Sequence, residues 1–210
     1  MNVVLYGASG MIGTRILDEL TSRGHHVTAV VRDVSRVKTG PLVTAEKGDI
    51  YSSSDVASMV KGADAVISAY GPGVSGDPAT VIEATKSLIT GLTEAGVKRF
   101  IMIGGAASLF VAPGVTLLDS GHLPKEWTGI ATAHKEALEI LRPSDLEWTS
   151  LSPAAFIQPG ERTGKFRLGQ DDLIVDDKGV SRISAEDFAI ALVDELETPK
   201  HIRQRFTAAY

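Results

Sequence analysis

The sequence predicts an α/β fold, a doubly wound parallel sheet with helices on both of its faces. Two observations lead to this prediction. Short runs of strand-forming residues alternate along the chain with longer segments in which apolar residues recur at helical spacing. The glycine-rich turn Gly7–Gly13 joins the first strand-like run to the first helical segment. Buried strands that alternate with helices are typical of a parallel sheet covered on both sides and connected by right-handed crossovers.

The alternation is regular from the first strand-like run to Leu151. Strands are predicted at Asn2–Tyr6, His26–Val31, Leu42–Lys47, Ala63–Ala69, Arg99–Ile103 and Trp148–Leu151. Helices are predicted at Met11–Arg23, Ser54–Val60, Pro78–Ala95 and Lys125–Leu141. Gly24 and Gly96 stand where two of these helices should end. This order of elements is typical of a Rossmann-type fold.

The pattern changes after Pro153. We predict a hairpin of two short strands, then a helix, then a last strand, at Phe166–Leu168, Leu173–Val175, Ser184–Glu197 and Arg205–Ala208. Ser184 caps this helix, with Asp187 three residues later in a start that resembles a capping box. Residues from about 153 to 210 are expected to form a small lobe over the carboxyl end of the sheet, within a single domain of residues 1–210.

The composition limits the classes of function. The chain has 210 residues, 43% of them hydrophobic, which is enough for one buried core. A formal net charge of −5 provides no basic excess, so we expect no nucleic-acid partner. The chain has no cysteine and its five histidines lack metal-ligand spacing, so no metal is expected. No segment is long and apolar enough for a membrane span and no signal pattern precedes the first strand, so we expect a cytoplasmic protein.

The glycine-rich turn carries the strongest functional signal. Gly7 permits a tight turn, Gly10 lets the backbone approach a pyrophosphate, and Gly13 lets the helix pack closely on the strand. The phosphates would meet free N–H groups at the N-terminus of the helix. We therefore predict binding of a nicotinamide dinucleotide by Gly7, Ala8, Ser9, Gly10, Met11, Ile12 and Gly13. The alternative is a glycine-rich turn that holds no ligand.

Two arginines after the second strand bear on the choice between NADPH and NADH. Arg32 ends that strand and Arg36 follows four residues later. An acidic residue at this place holds the ribose 2′-hydroxyl of NAD, whereas an arginine suits the 2′-phosphate of NADP. We expect both arginines to bind this phosphate, so that NADPH is the cofactor and NADH binds more weakly. Asp33 argues against this interpretation, and a solvated charge cluster in a loop is the alternative.

Short turns that follow the next strands are further candidates for cofactor binding. Asp49 can reach the adenine amino group while Ile50 packs on the ring, although a turn-forming aspartate is the alternative. The turns after the fourth and fifth strands lie at the edge where open α/β folds bind ligands. We predict cofactor contacts there at Ala69, Tyr70, Gly71, Gly104 and Gly105. Turn chemistry alone explains these residues equally well.

The helix predicted at Lys125–Leu141 carries two candidate catalytic side chains. His134 shares a helical face with Ile130 and Leu138, so it is expected to point inward. It is either a proton donor or a hydrogen-bonded histidine of the core, and we favour the core histidine. Lys135 either steadies a ribose hydroxyl or is a surface lysine.

Together these motifs resemble the atypical short-chain dehydrogenase/reductases with an NAD(P)H-binding domain. The residues that carry the resemblance are Gly7–Gly13, Val31–Asp33, Gly48–Asp49, Ala65–Ile67 and Gly96–Phe100. Two further runs, Gly104–Gly114 and Ser152–Gly169, are particularly similar to the bacterial NADH-flavin reductases. The biliverdin-IXβ/flavin reductases are also close, and the NmrA-like proteins are more distant. The resemblance covers essentially the whole chain.

The resemblance implies roles for residues that the motifs alone do not explain. It implies that Arg32 and Arg36 hold the 2′-phosphate. It also implies that Pro153, Ala154 and Ala155 pass close to the nicotinamide.

Two departures from the family pattern concern its catalytic side chains. The tyrosine of the usual Tyr-x-x-x-Lys pair, with Lys135 as the lysine, corresponds to Ala131. The serine that commonly follows the fifth strand is replaced by Ala106, with Ser108 two residues later as a candidate catalytic residue. These departures argue against the tyrosine-dependent alcohol and sugar chemistry of the superfamily.

Three functions follow from this reading. The first is an NADPH-dependent reductase of a flavin, quinone or similar flat acceptor, because hydride transfer to such a ring depends mainly on positioning. The acceptor pocket would be formed by Gly104–Ser108 and Pro153–Phe156, with Phe110, Phe156 or Trp127 as stacking surfaces unless they belong to the core. The second is an NmrA-like sensor of the cofactor without turnover, and the third is a nucleotide-sugar epimerase or dehydratase. The only partner expected besides the cofactor is the small acceptor, with the protein a monomer or homodimer.

Overall fold

A computed structural model of the protein describes residues 1–73 and 75–210. Its strands are β1 (Asn2–Tyr6), β2 (His26–Val31), β3 (Val43–Lys47), β4 (Ala65–Ser68), β5 (Arg99–Ile103), β6 (Phe110–Ala112), β7 (Val115–Thr116), β8 (Glu147–Ser152), β9 (Phe156–Gln158), β10 (Arg167–Gly169), β11 (Arg182–Ser184) and β12 (Gln204–Ala209). Its helices are α1 (Met11–Ser22), α2 (Ser53–Val60), α3 (Ala79–Ala95), α4 (Lys125–Leu141) and α5 (Ala185–Glu197). Short 3₁₀ turns lie at Val34–Arg36 and Ala106–Ser108.

Eight strands form the central sheet in the order β10-β12-β8-β5-β4-β1-β2-β3. All neighbours pair in parallel except β10 and β12, which are antiparallel. The chain proceeds from β1 towards β3 on one side and from β4 towards β12 on the other. The connections therefore reverse direction between β1 and β4, and a crevice is expected outside the carboxyl ends of these two strands.

Alternate residues of the strands serve two separate cores. In β1, Val3 and Leu5 pack into the core beneath α1 and α5, whereas Val4 and Tyr6 pack into the core beneath α2, α3 and α4. This alternation follows from the two-residue period of a strand, and it requires apolar residues on both faces. The predicted fold, a doubly wound parallel sheet with helices on both faces, is confirmed.

The hairpin predicted between Phe166–Leu168 and Leu173–Val175 is wrong. Strand β10 instead pairs with β12, with Arg167 opposite Ala209. The Leu173 amide donates to the Phe110 carbonyl oxygen at 2.8 Å, which draws this segment towards the connection after β5. The backbone partners are therefore supplied by distant segments of the chain, which local turn residues do not reveal.

The region from about residue 153 onward, where a small lobe is predicted, contributes to several parts of the molecule. β10 and β12 lie in the central sheet, and α5 packs against α1. β9 and β11 form a separate parallel pair. Among the helices that the structure describes, none is both long and apolar enough to cross a membrane.

Of the two hydrogen bonds of a capping box, α5 has the one that the Ser184 hydroxyl accepts. The Ser184 hydroxyl oxygen accepts from the Asp187 amide at 3.0 Å, which confirms the predicted cap. The Asp187 carboxylate does not return to Ser184 as a capping box would. It accepts instead from the Thr163 and Gly164 amides, both at 2.8 Å, and from the Tyr210 hydroxyl at 2.9 Å. These bonds keep the pKa of this buried carboxyl below its usual range despite the opposing effect of burial.

The loop before β10 is tied to both helices of this face. Arg162 binds Glu19 of α1 through two hydrogen bonds of 2.9 Å. Glu186 of α5 accepts from the Gly160 amide at 2.8 Å and from Arg15 of α1 at 3.0 Å. The helix that begins at the glycine-rich turn is thereby fixed to a segment far along the chain.

We predict that Asp187→Ala destabilises the protein by about 2–4 kcal/mol, because it leaves the Thr163 and Gly164 amides without their acceptor. Urea unfolding of the variant beside Asp177→Ala measures the difference. Asp177 is exposed, so its replacement serves as the control. Equal stability of the two variants would show that water replaces the carboxylate at little cost.

Candidate functional site

The glycine-rich turn is held against the end of β4. Gly7 has φ +77°, and a Cβ atom placed on it would lie 2.5 Å from the Ala69 carbonyl oxygen. A Cβ on Gly13 would lie 2.0 Å from the carbonyl oxygen of Gly7. Neither position accepts a side chain, so β1, α1 and the turn after β4 approach each other as closely as their backbones allow.

Gly10 has a different reason to be glycine. A Cβ there would lie 3.3 Å from the Gly7 carbonyl oxygen and meet no other atom within contact distance. Its backbone has φ −81°, which any residue can adopt. The steric demand for glycine within the protein is therefore much weaker at Gly10 than at Gly7 and Gly13. This is what close approach of a pyrophosphate predicts.

The N-terminus of α1 is left open to an anion. Gly10 is its N-cap residue and provides no side-chain hydrogen bond, and the first turn holds no acidic residue. The N-terminus of α5 is the opposite case, with Ser184 as a side-chain cap and Glu186 and Asp187 in its first turn. Free N–H groups and the helix dipole at α1 suit a phosphate, so the turn fits the dinucleotide predicted from the sequence.

The arginines predicted to bind the 2′-phosphate lie at the carboxyl end of β2. Arg32 and Arg36 are exposed, and neither forms an ion pair within residues 1–73 and 75–210. The Asp33 carboxylate caps the 3₁₀ turn by accepting from the Ser35 amide at 3.1 Å and hydroxyl at 2.7 Å. Arg36 also lines a groove of about 520 Å³ that runs from Ala8 between α1 and residues 36–43.

The turn after β3 is rigid. The Asp49 amide donates to Asp55 at 2.6 Å, and the Asp49 carboxylate accepts from the Tyr51 amide at 2.9 Å. The turn-forming alternative for Asp49 is therefore present, with its second carboxylate oxygen still exposed to a ligand. Ile50 is buried in the core beneath α2, α3 and α4, which limits the ring area it can offer to an adenine.

Two adjacent glycines, Gly104 and Gly105, follow β5 at the carboxyl edge of the sheet. A Cβ on Gly104 would lie 2.8 Å from the Ser150 hydroxyl oxygen, and one on Gly105 would lie 3.0 Å from the Cβ of His134. The structure thus brings His134 of α4 next to the predicted cofactor residues. The sequence did not single out Ser150, whose buried hydroxyl makes no hydrogen bond to the described residues.

His134 is partly exposed, but its Nδ1 atom is buried and makes no hydrogen bond to the described residues. The favoured interpretation, a hydrogen-bonded histidine of the core, therefore does not hold for this atom. Burial lowers the pKa of the imidazole to about 4, so the ring is neutral at pH 7. It can donate one N–H, but it does not supply a proton as an imidazolium near neutral pH.

Ser108 accepts hydrogen bonds from Arg205 of β12. Its hydroxyl and carbonyl oxygens accept from Nη1 of Arg205 at 2.8 and 3.0 Å. The Nε atom of Arg205, a buried residue of β12, donates to Asp171 at 2.9 Å. This arrangement fixes the connection after β5 to the sheet, and the catalytic role of Ser108 stays a prediction. The pKa of Asp119 lies below its usual range, chiefly because the Thr116 hydroxyl donates to its carboxylate, and the Lys135 ammonium makes a smaller contribution.

The residues predicted to form the acceptor pocket include the segment after β8 and two aromatic side chains. Pro153 and Ala154 are buried, and the Ala155 amide donates to the Ser181 hydroxyl at 3.1 Å. Phe156 is 67% exposed and Trp127 is 46% exposed, so neither ring belongs to the core. Their rings lie on short or terminal parts of β9 and α4, where no layer of the fold covers them.

A model of the NAD(P)H-binding family matches residues 7–199, which include the glycine-rich turn and α1 to α5. The chain belongs to the NAD(P)H-binding family. The protein YwnB of Bacillus subtilis is 43% identical over 211 residues, which cover 99% of this chain and 97% of YwnB.

Two solved structures extend the comparison. A candidate epimerase from Bacteroides thetaiotaomicron is 44% identical with a TM-score of 0.92, covering 100% of this chain and 96% of that one. A candidate NADH-flavin reductase from Streptococcus pneumoniae is 34% identical with a TM-score of 0.84, covering 100% and 99%. The chain is thus an NAD(P)H-binding protein with a reductase-like fold.

We predict that His134 makes the protein less stable as the pH falls. Its pKa is lower in the folded protein than the usual 6.5, so unfolding takes up a proton between about pH 6.5 and pH 4. Between pH 7 and pH 5 this costs about 1–2 kcal/mol. Urea unfolding of wild type and His134→Gln at both pH values tests it, with exposed His26→Gln as the control. The wild type and the control should lose this stability and His134→Gln should not; equal losses in all three would contradict the assignment.

Proposed function

We propose that the protein is an NADPH-dependent reductase that transfers a hydride to a flavin, a quinone or a similar flat acceptor. The observation that carries the proposal is the contrast between the glycines. Gly7 and Gly13 are required by the fold, whereas at Gly10 the protein imposes one tight contact, between a Cβ atom and the Gly7 carbonyl oxygen. Close approach of a pyrophosphate explains glycine at this position, and binding of an anion explains the uncapped N-terminus of α1.

The residues of the crevice bind and orient, and they supply little acid–base chemistry. The α1 amides would hold the pyrophosphate, and the turns at Ala69–Gly71 and Gly104–Gly105 would let the ribose and nicotinamide lie close to the backbone. Bound NADPH would supply the hydride from its dihydronicotinamide ring. Pro153–Ala155 and the exposed ring of Phe156 would hold the acceptor, and water would supply its proton.

The lack of a strong acid favours a flat, conjugated acceptor. His134 is neutral at pH 7, and α4 has Ala131 where the resemblance implies a tyrosine. A conjugated ring system spreads the charge that arrives with the hydride, so it needs less help from an acid than an isolated carbonyl. The streptococcal relative described as a candidate NADH-flavin reductase agrees with this choice. Another relative is described as a candidate epimerase, so the assay must also test whether the protein acts on a nucleotide sugar.

We predict that the purified protein oxidises NADPH slowly with FMN, riboflavin or a quinone, measured as loss of NADPH absorbance. Gly10→Val should abolish binding and turnover, because its side chain would occupy the place of the pyrophosphate, and it should reduce the thermal stability far less than Gly13→Val, whose Cβ would lie 2.0 Å from the Gly7 carbonyl oxygen. Tight binding of NADPH with no turnover on any of these acceptors would favour a cofactor sensor. Turnover of a nucleotide sugar alone would favour an epimerase.

We predict that NADPH binds at least about tenfold more tightly than NADH, because a guanidinium bond to the 2′-phosphate is worth roughly 1.5–3 kcal/mol. Two hydrogen bonds from Ser35 hold the Asp33 carboxylate on the 3₁₀ turn, so it is not free to turn towards the ribose. Titration calorimetry should show that Arg32→Ala weakens NADPH binding and leaves NADH binding nearly unchanged. Exposed Arg142→Ala is the control. Equal losses for both cofactors would refute the assignment.

A further inference from the structure

Tyr51 stands at the opening where the carboxyl ends of β2, β3 and β4 meet. It lies four residues after the end of β3 and is 42% exposed. Its backbone is fixed, since its amide donates to Asp49 at 2.9 Å and the next residue, Ser52, caps α2 by accepting from the Asp55 amide. The ring is therefore an exposed aromatic surface on a rigid turn.

The hydroxyl of Tyr51 is anchored as well. It lies 2.5 Å from the hydroxyl of Tyr70, which donates to the Thr80 hydroxyl at 2.9 Å. The two rings meet edge to face, with centroids 5.9 Å apart and planes at 87°. An exposed tyrosine ordinarily loses side-chain freedom when a ligand packs on it. Tyr51 has already lost this freedom in the free protein, so its ring is pre-organised for binding.

Tyr51 contacts the turn after β4, which itself lies against the glycine-rich turn. Tyr70 belongs to this turn, and the Ala69 carbonyl oxygen of the same turn lies against Gly7. Burial and the Tyr70 hydroxyl raise the pKa of Tyr51 to about 12, and the Arg32 guanidinium opposes the rise as the smallest contribution. The hydroxyl is therefore protonated at neutral pH, and the ring is uncharged.

We propose that Tyr51 is the residue that positions the adenine of the dinucleotide, by stacking its anchored ring on the base. This inference rests on the proposed cofactor site and adds a residue to it. The Asp49 carboxylate, with one oxygen bound to the Tyr51 amide, and the buried Ile50 then contribute less to the adenine than the sequence suggested.

The Tyr51 ring provides the stacking surface for the adenine, and the Tyr51 hydroxyl fixes the orientation of that ring. Stacking of a base on an aromatic side chain is worth about 1–3 kcal/mol, or roughly 5- to 150-fold in affinity. Loss of the ring should therefore cost at least about fivefold. Loss of the hydroxyl alone frees the ring but keeps its surface, so it should cost clearly less.

The experiment measures binding by titration calorimetry in wild type, Tyr51→Ala, Tyr51→Phe and a control, Val180→Ala, which removes an exposed apolar side chain from a distant turn. The probes are NADPH, adenosine 2′,5′-bisphosphate and reduced nicotinamide mononucleotide. Tyr51→Ala should weaken NADPH and the adenosine probe by the same factor and leave the mononucleotide unchanged. Tyr51→Phe should retain most of the affinity, and the control should retain all of it.

Other outcomes separate this inference from the proposed function. Unchanged binding of the adenosine probe in Tyr51→Ala, or an equal loss in Tyr51→Phe, would overturn the stacking role and leave the reductase proposal standing. Wild type that binds NADPH through Tyr51 but reduces no acceptor would overturn the reductase proposal and support the stacking role. Wild type that binds neither NADPH nor the adenosine probe would overturn both.

Discussion

The approach of α1 to β1 is the constraint on which the rest of the site depends. The Cα atom of Gly13 sits so close to the Gly7 carbonyl that a single methyl group would lie 2.0 Å from the oxygen. This contact sets the direction of α1, and with it the place where the open helix N-terminus meets the crevice. The turns after β4 and β5 are then arranged around that point, because β4 and β5 continue the same parallel sheet.

The fold and the cofactor end of the site were predictable because local patterns determine them. Apolar runs buried on both faces indicate parallel strands, and the three glycines of Gly7–Gly13 meet steric demands within one turn. Ser184 could be recognised as a cap for the same reason, since its partner is three residues away. Structural features that depend on residues close together in the chain can therefore be recognised from the sequence alone.

The remaining features of the fold and of the site could not be predicted, because they depend on residues that are far apart in the chain. The partner of β10 is the distant β12, so the turn at Gly169–Asp172 was misleading. The contact between Ser108 and Arg205 joins residues 97 positions apart, and His134 meets Gly105 only through the packing of α4. The sequence did not single out Tyr51, because its ring is anchored by a hydrogen bond to the hydroxyl of Tyr70, which belongs to a different turn.

The ties between α1 and the later part of the chain have a consequence for how the protein folds. Arg15 and Glu186 are separated by 171 residues, and Glu19 and Arg162 by 143. The side of α1 that packs against α5 is therefore covered only after α5 has been synthesised and docked. Closure of such long loops slows folding, and in the interval the exposed helix face invites aggregation. Folding of this chain should accordingly be limited by the late docking of α5 and not by formation of the glycine-rich turn.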